Sequence, residues 1–224
     1  QCRGCIINGS SFINIGAPYC LSVGGASQDI IILNNIFHDS SGGAIKIGNV
    51  NDTRAVTTDV EEQDIRYEVI NNFMDDISVE FKGGAAIFAG YVAKTNITHN
   101  TIKNTGYTGI SLGWGWGSHV SGKQTFAADN HIVGNRLLGI MSALNDGGCT
   151  YTLGPQPRST VTGNFCSSDS APVVGCFYHD NGSRYFSTKN NVAETSPAPC
   201  IFLTGGGGAP AHDIAVSNLW CRGT

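Results

Sequence analysis

The chain has 224 residues and a formal net charge of −4, and only 13% of its residues are charged. That is room for one sizeable core, with no basic surface for nucleic acid and no like-charge run to suggest an electrostatic partner. Thirty glycines and abundant asparagine suit short strands joined by tight turns rather than a helical bundle, and no apolar run approaches the roughly 18 residues of a membrane-spanning helix.

From the N-terminus, Cys2-Arg3-Gly4-Cys5 is a lone CxxC and a weak metal or redox signal. Eight cysteines without paired zinc spacing point to an oxidising compartment. Sequons at Asn8, Asn51, Asn96 and Asn181 add to that, so a secreted glycoprotein is expected. The 224 residues contain no signal-peptide pattern, and Gln1 starts directly in strand-like sequence. A mature or incomplete chain is therefore expected, one domain over residues 1–224 with further coils upstream.

A repeat then runs the length of the chain: Asn, any residue, an apolar residue. It occurs at Asn34, Asn71, Asn100, Asn135, Asn164, Asn190 and Asn218, at intervals of 37, 29, 35, 29, 26 and 28 residues, with Asn8-Gly9-Ser10 as a degenerate earlier copy. A small residue and a short alternating strand follow each: Tyr19–Gly24, Gly43–Gly48, Ala86–Gly90, Gly109–Gly113, Gly148–Thr152, Gly175–His179 and Cys200–Gly205. This spacing, without helical periodicity, predicts an all-β, right-handed parallel β-helix of about seven to eight coils. The Asn is expected to take the left-handed conformation at a turn and to hydrogen-bond the same Asn one coil away. An antiparallel sandwich is the competing architecture, and the Asn repeat counts against it. Insertions at Gly48–Asp64 and Ser118–Asp129 map to loops.

Aligning the small residues places Ile45, Ile47, Ile87, Ala89, Ile110, Leu112, Cys149 and Tyr151 inward. Lys46, Phe88, Ser111, Thr150 and Phe177 then form an outward floor. Cys149 and Cys176 fall at equivalent places in adjacent coils and are the disulfide offered, although eight cysteines leave the connectivity open. Uncapped coil ends expose strand edges, which would let copies associate end to end.

The centre of the chain is Thr108-Gly-Ile-Ser-Leu-Gly-Trp-Gly-Trp-Gly117. Trp114 and Trp116, on a glycine-rich exit from a strand, read as a cap on the core or as a platform for stacking sugar rings. The alignment sets Trp114 level with Asp180, on the edge of the floor, which favours the platform. Two carboxylates sit on turns beside the floor, in Asn145-Asp146-Gly147-Gly148 and His179-Asp180-Asn181-Gly182. Each reads equally as ordinary turn chemistry. His179 is expected to face outward, where it could orient a carboxylate or bind a hydroxyl. Tyr107, Glu80, Lys46 and Asp76 fall near the same face and could reach sugar hydroxyls. Asp75-Asp76 and Glu61-Glu62-x-Asp64 lack EF-hand spacing, so neither metal nor cofactor is implied.

Thr108–Gly117, Asn145–Pro157 and Phe177–Ser183 together resemble three blocks of glycoside hydrolase family 141, β-helix enzymes with α-L-fucosidase and xylanase activities. The likeness extends to Asn34–Gly48 and Asn71–Gly90. It implies that Asp146 and Asp180 are the acidic pair, that Trp114 and Trp116 line the cleft, and that the partner is a polysaccharide or glycan. Where the family pattern follows its second Asp with Glu, this chain has Asn181, and a glycan there would obstruct Asp180. A non-catalytic structural or filament-forming module and a carbohydrate-binding protein are the alternatives. A polysaccharide lyase would want more Lys and Arg on this face.

Glycoside hydrolysis needs its two carboxyl groups about 5–9.5 Å apart. On straight strands the Asp146–Asp180 offset would be about 23 Å. Catalysis by this pair therefore requires Gly147-Gly148 to curl Asp146 back over the sheet.

Overall fold

The computed structural model describes residues 1–116, 123–168, 174–195, 199–205 and 209–222. The chain is a parallel β-helix. Three sheets run its length: one of eight strands from Ile6–Asn8 to Ala215–Ser217, one of eight from Ser11–Ile15 to Trp220–Arg222, and one of seven from Tyr19–Val23 to Ile201–Leu203. Successive strands of each sheet pair in parallel, each with its counterpart one coil away, which disposes of the sandwich alternative. Seven coils supply all three strands and an eighth supplies two. Within the Gly48–Asp64 insertion lies a one-turn helix, Asp52–Ala55, whose first amides are capped by the Asn51 side chain. The second insertion lies partly outside the described residues, at 117–122.

The stacking brings like residues together in register. Ile32, Val69, Ile97, Ile132 and Val161 form one buried column of the first sheet. Phe37, Met74, Ile102, Leu137 and Cys166 form another in the second, with Phe12 stacked on Phe37 at 4.8 Å. Each column buries its apolar side chains against the other walls of the coil.

The turn between the first and second sheets divides between two neighbouring positions the work expected of one Asn. The first adopts positive φ: Gly9, Asn34, Asn71, His99, Gly134, Gly163, Asn190 and Asn218. The next is buried and forms the ladder: Asn35, Asn72, Asn100, Asn135, Asn164 and Asn191. Each ladder amide oxygen accepts from the backbone N–H of the preceding coil's equivalent, at 2.9–3.0 Å between Asn35 and Asn191. Each Nδ2 from Asn35 to Asn164 donates to the next coil's amide oxygen, and every one, Asn191 included, donates to a strand carbonyl of the preceding coil. Outside, the bent Asn34 and Asn71 carry a lesser ladder of their own, which Asn8, one residue before the bent Gly9, extends.

Disulfides join Cys2–Cys5, Cys149–Cys166 and Cys200–Cys221. The second corrects the Cys149–Cys176 expectation. Equivalent residues on adjacent parallel strands aim side by side into the lumen, so Cys149 meets Cys166 of the second sheet across it, with Cα atoms 5.9 Å apart. Three disulfides, with no described helix long and apolar enough to cross a membrane, are compatible with an extracellular setting.

Replacing Asn100 by Ala should orphan buried partners on both sides of the ladder at about 1–3 kcal/mol each. Urea unfolding should therefore show a loss of several kcal/mol, against well under 1 kcal/mol for Asn34→Gly at the exposed bent position.

Candidate functional site

The third sheet carries the site. Its central residues stack in register as Lys46, Phe88, Ser111, Tyr151, Tyr178 and Phe202, all pointing outward. Alternation then turns Thr150, Thr152, Phe177 and His179 into the core, where all four are buried. This corrects the alignment by one residue in the later coils, where Tyr151 was expected inside and Thr150 and Phe177 outside. Aligning Gly109 with Gly148 is what misleads. Ile110 pairs with Thr150, so Gly109 is level with Cys149. Gly113, rather than Trp114, is then level with Asp180.

The outward rings make a nearly continuous aromatic ridge. Tyr19 and Phe88 lie 6.3 Å apart, Phe88 and Trp114 5.9 Å, and Trp114 and Trp116 4.8 Å. Further along, Tyr151 and Tyr178 lie 5.1 Å apart and Tyr178 and Phe202 5.3 Å. Trp116 bridges the two groups by packing against the Tyr151–Tyr178 cluster. A cleft of about 320 Å³ lies along this ridge. Lys46, Phe88, Ser111 and Tyr151 floor it, Tyr107 and Ala85 line one side, and Trp114 and Trp116 the other. Both tryptophans are half-buried, with ring surface facing the cleft; Gly117, which closes the motif, lies outside the described residues.

The two carboxylates flank the floor near its far end, Asp146 on the side where the strand enters and Asp180 where it leaves. Asp146 itself takes φ of 61°, and this residue makes the bend expected of Gly147-Gly148. Those glycines are needed for space. A Cβ on Gly148 would strike the Gly175 carbonyl, and one on Gly147 the Thr108 hydroxyl and Met141 sulfur. Tyr107 Oη donates to the Asp146 carbonyl at 2.8 Å, and Tyr178 Oη to Asp146 Oδ1 at 3.3 Å. Asp180 is buried and accepts on both oxygens, from Tyr151 Oη at 2.5 Å and Thr204 Oγ1 at 2.6 Å. Thr204 Oγ1 lies 3.3 Å from Tyr178 Oη. These links of 2.6, 3.3 and 3.3 Å place the two carboxyl groups within about 9 Å of each other, inside the span over which a glycosidase pair operates.

Burial holds the Tyr151 and Tyr178 phenols far above their usual range, reinforced for Tyr151 by its bond to Asp180, so both stay donors at neutral pH. None of Tyr151, Tyr178 or Thr204 was singled out from the sequence. The signal lay in Thr-Tyr-Thr and Phe-Tyr-His, where an inward threonine makes the tyrosine face out.

His179 is not in the cleft. It sits in the core, Nδ1 2.7 Å from Thr152 Oγ1 and Nε2 2.8 Å from Thr188 Oγ1, with Phe186 alongside. Ser183 Oγ donates to the Thr152 carbonyl, so Thr152 Oγ1 donates to Ser183 and accepts from Nδ1–H, while Thr188 donates to Nε2. This neutral imidazole is satisfied on both sides. Glu80 is also absent from the cleft lining; it accepts from Ser41 Oγ on the exposed surface. Asp76 lines a separate groove with Asp39 and Lys82. Asp64 is committed to three internal donors, Ser27 N, Asn49 Nδ2 and Tyr67 Oη. Of the sequons, Asn8 and Asn51 are exposed, Asn96 donates its Nδ2 to Glu68, and Asn181 is half-buried beside Asp180.

The fold has a solved counterpart. A structure described as "Glycoside hydrolase" superposes with a TM-score of 0.72 at 25% identity, over 88% of this chain and 34% of that one. The chain thus spans about a third of the length of that enzyme. No model of a known protein family matches the chain, and no curated protein sequence does either.

Burial pulls the His179 pKa down to about 3. The unfolded chain takes up this proton near pH 6.5, so the neutral imidazole's contribution to stability is complete above pH 6.5 and is lost as pH falls toward 3. In an NMR titration the His179 ring should show no inflection above about pH 4.

Proposed function

We propose that this chain is a secreted, glycan-acting hydrolase in which Asp146 and Asp180 form the carboxylate pair and the aromatic ridge grips the sugar chain. The carrying observation is that Tyr178 and Thr204, donating to Asp146 and Asp180 with their own oxygens 3.3 Å apart, bring two carboxyls from separate coils within about 9 Å at the end of an aromatic cleft. The glycoside hydrolase counterpart supports the reaction class, and the three sequence blocks support kinship with family 141.

Asp180 accepts on both oxygens, which orients it as the nucleophile, or as the base that takes a proton from the attacking water. Asp146, exposed at the rim, is placed to donate a proton to the leaving oxygen. Tyr178 spans the two and orients Asp146. The rings of Trp114 and Trp116 offer flat faces on which sugar rings stack, excluding water from the floor.

A second reading, carbohydrate binding without turnover, is favoured by one observation: no carboxylate is among the described residues lining the cleft. Reducing-sugar release from plant polysaccharides distinguishes the two. The hydrolase reading expects Asp146→Asn and Asp180→Asn each to lower kcat by about 10²–10⁴-fold, with polysaccharide binding retained. Binding by the wild type with no release from any substrate supports the second reading instead.

A further inference from the structure

Lys46 is the one cation among the described lining residues of the cleft, and its surroundings are built around it. It projects outward from Gly43–Ile47, half-buried, with its ammonium 6.0 Å from the ring centroids of both Tyr19 and Phe88. Gly43 makes this possible, because a Cβ there would collide with the Tyr19 ring. Aromatic faces attract a cation but accept no conventional hydrogen bond from it. Among the described residues Lys46 forms no ion pair with a carboxylate, unlike Lys103, which lies 3.5 Å from Asp75. Its three N–H donors point into a cleft that otherwise offers rings and small residues.

Register sets its distance from the carboxylates. Lys46, Phe88, Ser111, Tyr151 and Tyr178 occupy five successive coils. At about 4.8 Å per coil, Lys46 stands roughly 19 Å from Tyr178, the length of several linked sugar rings. A chain lying along the ridge with its scissile bond beside Asp146 and Asp180 would set a distant ring against Lys46.

We propose that Lys46 forms a remote subsite for an anionic substituent, a uronate carboxylate or a sulfate ester, on a sugar several rings from the point of cleavage. The inference rests on the glycan reading of the cleft and adds that the ligand is an acidic polymer rather than a neutral one. The two oxyanions share the chemistry that Lys46 recognises, a negative oxygen accepting from an ammonium held between rings.

Affinity electrophoresis and calorimetry with neutral arabinoxylan, glucuronoxylan and a sulfated fucan test it, in the wild type and in an Asp146→Asn background where no ligand is consumed. An acidic polymer should bind about tenfold more tightly than arabinoxylan, and high salt should erase that advantage. A preference for glucuronoxylan identifies a carboxylate, and one for the fucan a sulfate. Lys46→Met should abolish the preference by lowering acidic-polymer affinity to the level of arabinoxylan, and Lys46→Arg should keep it. Equal affinity for all three polymers overturns the subsite but leaves the glycan cleft standing, as does a preference that survives Lys46→Met. Binding to none of them overturns both. Lys46→Gln is read in the same way should Lys46→Met fail to fold.

Discussion

The buried asparagine ladder is the constraint on which the rest depends. From Asn35 to Asn191, each amide oxygen takes the backbone N–H of the coil before, and each Nδ2 reaches back to a strand carbonyl. A turn cut off from solvent must satisfy its backbone groups internally, and a side chain that both donates and accepts does so at every step. The ladder also indexes the coils. A one-residue slip at any turn would break bonds to two neighbours and move every following side chain to the other face. With the turns pinned, coil lengths between them can vary, and they do so through the insertion that carries Asp52–Ala55.

That fixed register couples the cleft to the core. Because side chains alternate, setting Tyr151 and Tyr178 outward necessarily sets Thr150, Thr152 and His179 inward. Polar groups at inward positions are costly unless paired. The Thr152–His179–Thr188 and Thr152–Ser183 hydrogen bonds supply those pairs with no net charge. The ridge that faces a ligand and the unusual polar patch inside are two sides of one choice. The carboxylates stand just beyond the strand ends, where the chain leaves the sheet's alternation, and tyrosine and threonine hydroxyls hold them in place.

Much of this was legible in the residues. The Asn repeat and the short strands following it identify the stacked-coil architecture, because only a repeating structure explains a ladder residue at irregular intervals. Ile45, Ile87 and Ile110 were placed inside and Lys46, Phe88 and Ser111 outside, since their alternation is clean. At Gly147-Gly148 two consecutive glycines offer the strand two possible starts. His179 and Tyr151 were assigned to the wrong faces as a result. The Cys149–Cys166 bridge was equally hidden, because it crosses between sheets and no spacing along the chain records which walls face each other.

What the sequence by itself determined is the coil: the turn asparagines, the strand alternation and the aromatic, acidic composition of one face follow from local chemistry and periodicity. Only the tertiary structure decided how those coils align. It brought Asp146 and Asp180 to the same stretch of floor through Tyr178 and Thr204, withdrew His179 into the core, and left Lys46 open to the cleft between two rings. Each of these rests on register between strands some 27–42 residues apart, and in a parallel solenoid that register is set by the stacked turns rather than by any one strand.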